Sequence, residues 1–190
     1  MYRALVEPGP SGFVELSEEE VHHLVRVRRL QPGQAFCGVD GLGKEYRCRL
    51  EQDGGRWRGR IEEVRTQKQP PLKITLAQSL VKKDRFEWVL EKATELGVWE
   101  VVPTITWRTE VKLTGTREDR MMARWSKIML SAIKQSGQSR LPLLSRPVEL
   151  DQVLERGKCS SLVIRLDEAG GIHLRDLVAQ HQQAREALVL

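Results

Sequence analysis

The sequence predicts an α/β protein in two parts: a small, mostly antiparallel β unit and then a domain with a mostly parallel sheet. Three observations predict it. Residues 1–68 read as short strands joined by glycine-containing turns, with a single helix among them. Gln69-Pro70-Pro71 then breaks the pattern, because tandem prolines cannot continue a ladder and favour an extended linker. From Lys73 onward strands and helices alternate, which implies parallel pairing through right-handed crossovers. The expected domains are 1–70 and 71–190.

Tyr2–Val6 reads as the first strand. Ser17 with Glu20 three residues on forms a capping box, and Val21, Leu24 and Val25 continue it as a helical apolar stripe toward Pro32-Gly33. Gln34–Val39 and Lys44–Leu50 flank Asp40-Gly41 as a hairpin, and Asp53-Gly54-Gly55 turns the chain into a strand from Arg56 to Val64. Beyond the prolines, Lys73–Gln78 is a buried-type strand. Asp84 and Glu87 are placed to cap a helix carrying Phe86, Leu90, Ala93 and Leu96 at helical spacing, closed by Gly97. Val98–Ile105 is a strand, and Arg117–Ser136 a long helix with Met121, Trp125, Ile128, Met129 and Ala132 inward. Leu150–Arg156 is a short helix, Ser161–Leu166 a strand, Leu174–Gln183 a helix and Glu186–Leu190 a strand.

The 190 residues carry 31 Lys and Arg against 26 Asp and Glu, a formal charge of +5. The charge is uneven: residues 1–70 are net +1, residues 71–146 net +6 and residues 147–190 net −2. A polyanion-facing surface in the middle segment is one reading, and a solvated arginine-rich face is the other. No apolar run approaches the ~20 residues of a membrane span, and the first residues lack the apolar core of a signal peptide. Three separated cysteines without a CxxC pair argue against a disulfide framework or a zinc site, and a reducing cytoplasm is the expected location.

Several clusters could carry chemistry. On a helix Arg26 and Arg29 would share a face, suited to a phosphate backbone or else simply solvated at a helix end. His22 and His23 diverge by ~100° and do not make a metal site. Arg56, Arg58 and Arg60 alternate along one strand and so point to one side. Lys82-Lys83-Asp84-Arg85 joins a strand end to a helix start, where amides attract anions. Trp107-Arg108-Thr109-Glu110 also follows a strand end, where open α/β sheets place their sites. The tract 134–142 is polar and basic, and Ala169-Gly170-Gly171 follows another strand, as either a ligand-facing loop or a plain turn. Gly41-Leu42-Gly43 sits in a hairpin and is not a nucleotide loop. No Ser/His/Asp triad, HExxH or phosphate loop occurs.

Taken together, these blocks resemble the bacterial ribosomal RNA small subunit methyltransferase E family. The matching stretches are His22-His23-Leu24-Val25-Arg26-Val27 with Arg29 and Pro32-Gly33, Asp40-Gly41, Gln78-Ser79-Leu80-Val81-Lys82 with Asp84-Arg85 and Glu87, and Glu91-Lys92-Ala93-Thr94-Glu95-Leu96-Gly97-Val98. Arg108, Arg124-Trp125, and Gln135-Ser136 with Arg140 and Pro142 follow in order. Lys134 stands where the family commonly has an acidic residue, and Gln138 where it commonly has a basic one.

The resemblance implies a PUA-like N-terminal β-barrel that grips RNA and a SPOUT-class domain with a trefoil knot. It implies methylation of a uridine N3 in 16S ribosomal RNA, S-adenosylmethionine as donor with no metal, and homodimers. On this reading Arg26, Arg29, Lys82 and Arg85 bind RNA backbone, and Arg108 or Arg140 holds the target nucleotide. Leu166, Asp167 and Glu168 line the near side of the donor pocket. The family's Gly-Pro-Glu-Gly-Gly segment does not occur before Leu190, so the SPOUT domain is expected to be incomplete here and these residues alone inactive. A non-catalytic RNA-binding protein is the competing expectation.

Overall fold

The computed structural model describes residues 1–109, 114–167 and 169–190. The chain divides into two compact units. The first is Met1–Lys68 with Leu130–Leu141, and the second is Gln69–Met129 with Pro142–Leu190.

In the first unit the strands are β1 (Arg3–Leu5), β2 (Glu7–Pro8), β3 (Phe13–Glu15), β4 (Ala35–Val39), β5 (Lys44–Asp53) and β6 (Arg56–Thr66). They form one sheet in the order β1-β4-β5-β6-β3-β2. Its two edge strands, β1 and β2, are separated by Val6 alone, so the sheet must curl until its edges meet, which is a barrel. Strand β5 shows why it closes around a core. Tyr46, Cys48 and Leu50 are buried at alternate positions while Arg47 and Arg49 face out. The inward set packs with Ala4, Val14, Leu24, Leu30 and Phe36. Gly59 of β6 lies where a Cβ would meet Phe36 at 2.6 Å and Val14 at 2.7 Å, so only a hydrogen fits there.

Ser17 caps helix α1 (Glu18–Val21), its Oγ accepting from the Glu20 amide at 3.3 Å. Glu20 does not reach back to complete the expected box. It is buried, and its Oε1 accepts from Lys134 Nζ at 2.7 Å. The helix continues as a π-helical stretch, His22–Val27, with the Arg28 amide donating to His23. It stops before the expected Pro32-Gly33, because Arg29 adopts a left-handed φ of 57° that turns Leu30 back into the barrel core.

The second unit contains β7 (Lys73–Ser79), α2 (Lys83–Glu95), β8 (Glu100–Ile105), α3 (Thr116–Ser136), β9 (Leu143–Leu144), β10 (Val148–Glu149), α4 (Leu150–Gly157), β11 (Leu162–Ile164), α5 (Leu174–Gln180) and β12 (Glu186–Val189). The last turns of α3 belong to the first unit. The sheet order is β10-β8-β7-β12-β11, with β9 also on β8, and every pairing in it is parallel. One face buries Ala77, Val102 and Leu188 against Val153 of α4. Helices α2 and α3 meet through Phe86 and Trp125, whose ring centroids are 4.7 Å apart, and through Arg124, which donates to Glu87 at 2.5 and 2.8 Å. Two details of α2 differ from expectation. Asp84 lies inside the first turn, with Lys82 at the cap, and Leu96 is 84% exposed at the helix end. Among the described residues no helix is long and apolar enough to cross a membrane.

Candidate functional site

A fully parallel sheet brings all its strand carboxyl ends to one edge. In this unit that edge collects the segments after β7, β8 and β11, which carry Lys82 and Arg85, then Trp107 and Arg108, then Leu166 and Asp167. Strands β7 and β8 are neighbours, whereas β12 separates β7 from β11.

Lys82, Arg85 and Arg108 are exposed, and no ion pair joins them to a carboxylate among the described residues. The segment after β8 is a closed turn. The Thr109 amide donates to the Thr106 carbonyl at 2.9 Å, and the Thr106 amide donates back to Thr109 Oγ1 at 2.9 Å. Trp107 and Arg108 occupy the two corner positions, and the Arg108 guanidinium lies 4.5 Å from the Trp107 ring centroid. Glu110 lies outside the described residues.

The loop after β11 walls a pocket of about 510 Å³ lined by Leu166, Asp167, Gly170, Gly171, Ile172 and Leu174. Asp167 accepts from Arg165 at 2.6 Å and from the Ala169 amide at 2.9 Å, which fixes the loop. Leu166 and Ile172 are 66% and 65% exposed, so the pocket offers apolar surface beside a carboxylate. Glu168 lies outside the described residues.

In the first unit Arg26 and Arg29 are both exposed, but they do not share an α-helical face. Arg26 is in the π-helical stretch and Arg29 is in the left-handed turn beyond it. Arg26 instead lines a groove of about 720 Å³ with His22, Val25, Arg56 and Trp57. The arginine stripe of β6 is largely neutralised within its own sheet. Arg58 pairs with Asp53 at 2.8 Å and Arg60 with Glu51 at 2.5 Å, and both guanidinium groups stack over Phe13. The hydrogen bond from Arg60 holds the Glu51 carboxyl below its ordinary range.

The polar tract after α3 spends its hydrogen bonds on the barrel. Gln138 accepts from Arg3 at 2.8 Å, and Ser139 Oγ donates to Gln67 at 2.7 Å. Arg140 forms backbone bridges to Gly41 and Leu42 and lays its guanidinium against Gly43. Sequence reasoning missed these partners and the groove lined by Trp57, because the contributing residues are far apart in the chain and none has a distinctive pattern. Among the described residues no group of three or more His, Cys, Asp or Glu is placed to hold a metal ion.

Comparison with known proteins bears on this arrangement. The profile of the RNA methyltransferase domain matches residues 68–190, and that of the RNA methyltransferase PUA domain matches residues 16–54. A ribosomal RNA small subunit methyltransferase E from Synechocystis is 33% identical over 82% of this chain, and the chain spans 50% of its length. One of the same name from Mycobacterium bovis is 31% identical over 90% of the chain, which spans 68% of it. A methyltransferase from Legionella pneumophila, solved with its cofactor SAM, superposes with a TM-score of 0.83 at 32% identity, covering 100% of this chain and 78% of its own. The Neisseria gonorrhoeae ribosomal RNA small subunit methyltransferase E, bound to S-adenosyl methionine, gives 0.78 at 28% identity, covering 100% of this chain and 79% of its own. The expected α/β class, a PUA-like barrel followed by a SPOUT-type parallel sheet, is the one found. With a domain profile over most of its length and relatives matched across both units, the chain belongs to the ribosomal RNA small subunit methyltransferase E family.

Proposed function

We propose that these 190 residues serve in the transfer of a methyl group from S-adenosylmethionine to N3 of a uridine in the 16S RNA of the small ribosomal subunit, supplying an RNA-binding rim and the near side of the donor pocket. The observation that carries this reading is the carboxyl edge of the parallel sheet. There, exposed cations after β7 and β8 share one rim with an apolar pocket and carboxylate after β11. Lys82 and Arg85 bind phosphates of the RNA backbone, where charge-assisted hydrogen bonds are strong. Arg26 and Arg29 of the first unit do the same.

S-adenosylmethionine, when bound, supplies a methyl group activated by its sulfonium charge. The residues after β11 fit such a donor. Leu166 and Ile172 give apolar surface for an adenine, Asp167 an acceptor for hydroxyl or ammonium groups, and Gly170 and Gly171 a loop without side chains. Glu168, next in the chain after Asp167, is proposed as a further donor-binding residue. On the acceptor side, uracil N3 carries a weakly acidic proton that must depart before or during attack. A guanidinium beside the ring favours the anionic base. Arg108 or Arg140 holds the target nucleotide in that role.

The test is incubation of the protein with isolated small ribosomal subunits and labelled S-adenosylmethionine, then digestion of the RNA to nucleosides. Label in 3-methyluridine supports the reading. Label at another position refutes the N3 assignment. Saturable RNA binding with no calorimetric signal for S-adenosylmethionine and no transfer, persisting when the chain is extended by the C-terminal segment of a relative, points instead to a non-catalytic RNA-binding protein.

A further inference from the structure

We infer that Trp107 is a stacking platform for an unpaired base of the RNA, an assignment that rests on the proposed RNA substrate. Trp107 is 86% exposed, although an indole is among the side chains that gain most from burial. It is not a loose side chain on a loose loop. Its turn is closed from both sides by Thr106 and Thr109, through the pair of 2.9 Å hydrogen bonds and a 3.3 Å contact between their hydroxyl oxygens. Arg108, next in the chain, lays its guanidinium 4.5 Å from the ring centroid, which restrains the indole and places a cation beside it. The turn follows β8, and the neighbouring strand β7 leads to Lys82 and Arg85. A restrained aromatic face set among exposed cations matches single-stranded RNA, where phosphates meet the charges and a base meets the ring.

Stacking and charge neutralisation leave different signatures. Base–aromatic stacking is worth about 1–3 kcal/mol, so Trp107→Ala should weaken small-subunit RNA binding by about 5- to 150-fold. A neutral ring releases no counterions, so the slope of log affinity against log salt should be unchanged. Arg108→Gln should instead make that slope shallower by about 0.7 for a single-strand contact. Trp107→Phe should retain most of the affinity.

The experiment is RNA binding across a salt series for the wild type and these three variants, with quenching of tryptophan fluorescence by oligoadenylate. Quenching present in the wild type and much reduced in Trp107→Phe, together with the weakened Trp107→Ala, supports the assignment. Wild-type binding with an unaltered Trp107→Ala overturns it and leaves the RNA reading standing. An unaltered RNA affinity with a changed sedimentation coefficient overturns it too, and gives the indole to a contact between copies. If the wild type does not bind RNA, the proposed substrate fails and this assignment fails with it.

Discussion

The buried pair of Glu20 and Lys134 gives the sharpest test of how the first unit is held together. The Glu20 side chain is 6% exposed and that of Lys134 25%, with 2.7 Å between Nζ and Oε1. Glu20 Oε2 is buried with no hydrogen-bond partner among the described residues, so Lys134 is the main compensation for that carboxylate. Breaking a fully buried pair costs about 3–5 kcal/mol because an uncompensated charge remains. Lys134 is a quarter exposed, which admits water to the vacated space, so Lys134→Met should cost about 2–3 kcal/mol. The reverse truncation is milder: Glu20→Gln leaves an ammonium that can turn to solvent, at about 1 kcal/mol. The double variant should recover most of the Lys134→Met loss, costing about 1 kcal/mol in all, a coupling of about 2.5 kcal/mol. Urea denaturation measures the totals, and hydrogen exchange of amides in β4, β5 and β6 assigns the loss to the first unit. Lys134→Met costing no more than Glu20→Gln would refute the reasoning.

Four further outcomes follow. Gly59→Ala should destabilise by about 1–2 kcal/mol, since contacts of 2.6 and 2.7 Å to Phe36 and Val14 outweigh the entropy removed from the unfolded chain; equilibrium denaturation showing a stabilised variant contradicts the packing described. Arg29→Gly should relieve the left-handed strain at φ 57° and stabilise by about 0.5 kcal/mol, while weakening RNA binding, as thermal melts and affinity measurements on one preparation would show. Burial pushes the Cys48 thiol up from 9.0 to about 12 and raises Cys37 as well, whereas Cys159 is exposed. The folded protein at pH 8 should therefore show one fast thiol toward a disulfide reagent, with the other two reacting on unfolding. Because the folded state keeps the Cys48 proton that the unfolded state loses near pH 9, stability should fall as pH rises from about 9 toward 12.

Local pattern carried much of the architecture. Alternation of Tyr46, Cys48 and Leu50 against Arg47 and Arg49 marked β5 with its inward face, and Ser17 marked the start of α1, because period and capping act within a few residues. The alternating elements after Pro71 marked the parallel sheet, and with it the edge where Lys82, Arg108 and Asp167 reside. What failed depended on distant partners. Arg58 and Arg60 read as cations on one side of a strand, yet β5 places Asp53 and Glu51 diagonally across from them, within ion-pair reach. The tract after α3 reads only as polar and basic, and its partners, Gln67 and Arg3, lie far off in the chain. Lys134 is explained by a buried glutamate 114 residues away. Arg29 escaped because nothing in an arginine signals a left-handed turn; burial of Leu30 imposes it.

The central claim is that the carboxyl edge of the second sheet meets the RNA backbone, and salt dependence measures it most directly. Affinity for small-subunit RNA is measured across a range of salt for the wild type and for Lys82→Glu combined with Arg85→Glu, both exposed positions. Loss of two phosphate contacts should weaken binding at low salt and make the slope of log affinity against log salt shallower by about 1.5. Identical affinities and slopes for the two proteins would contradict the account.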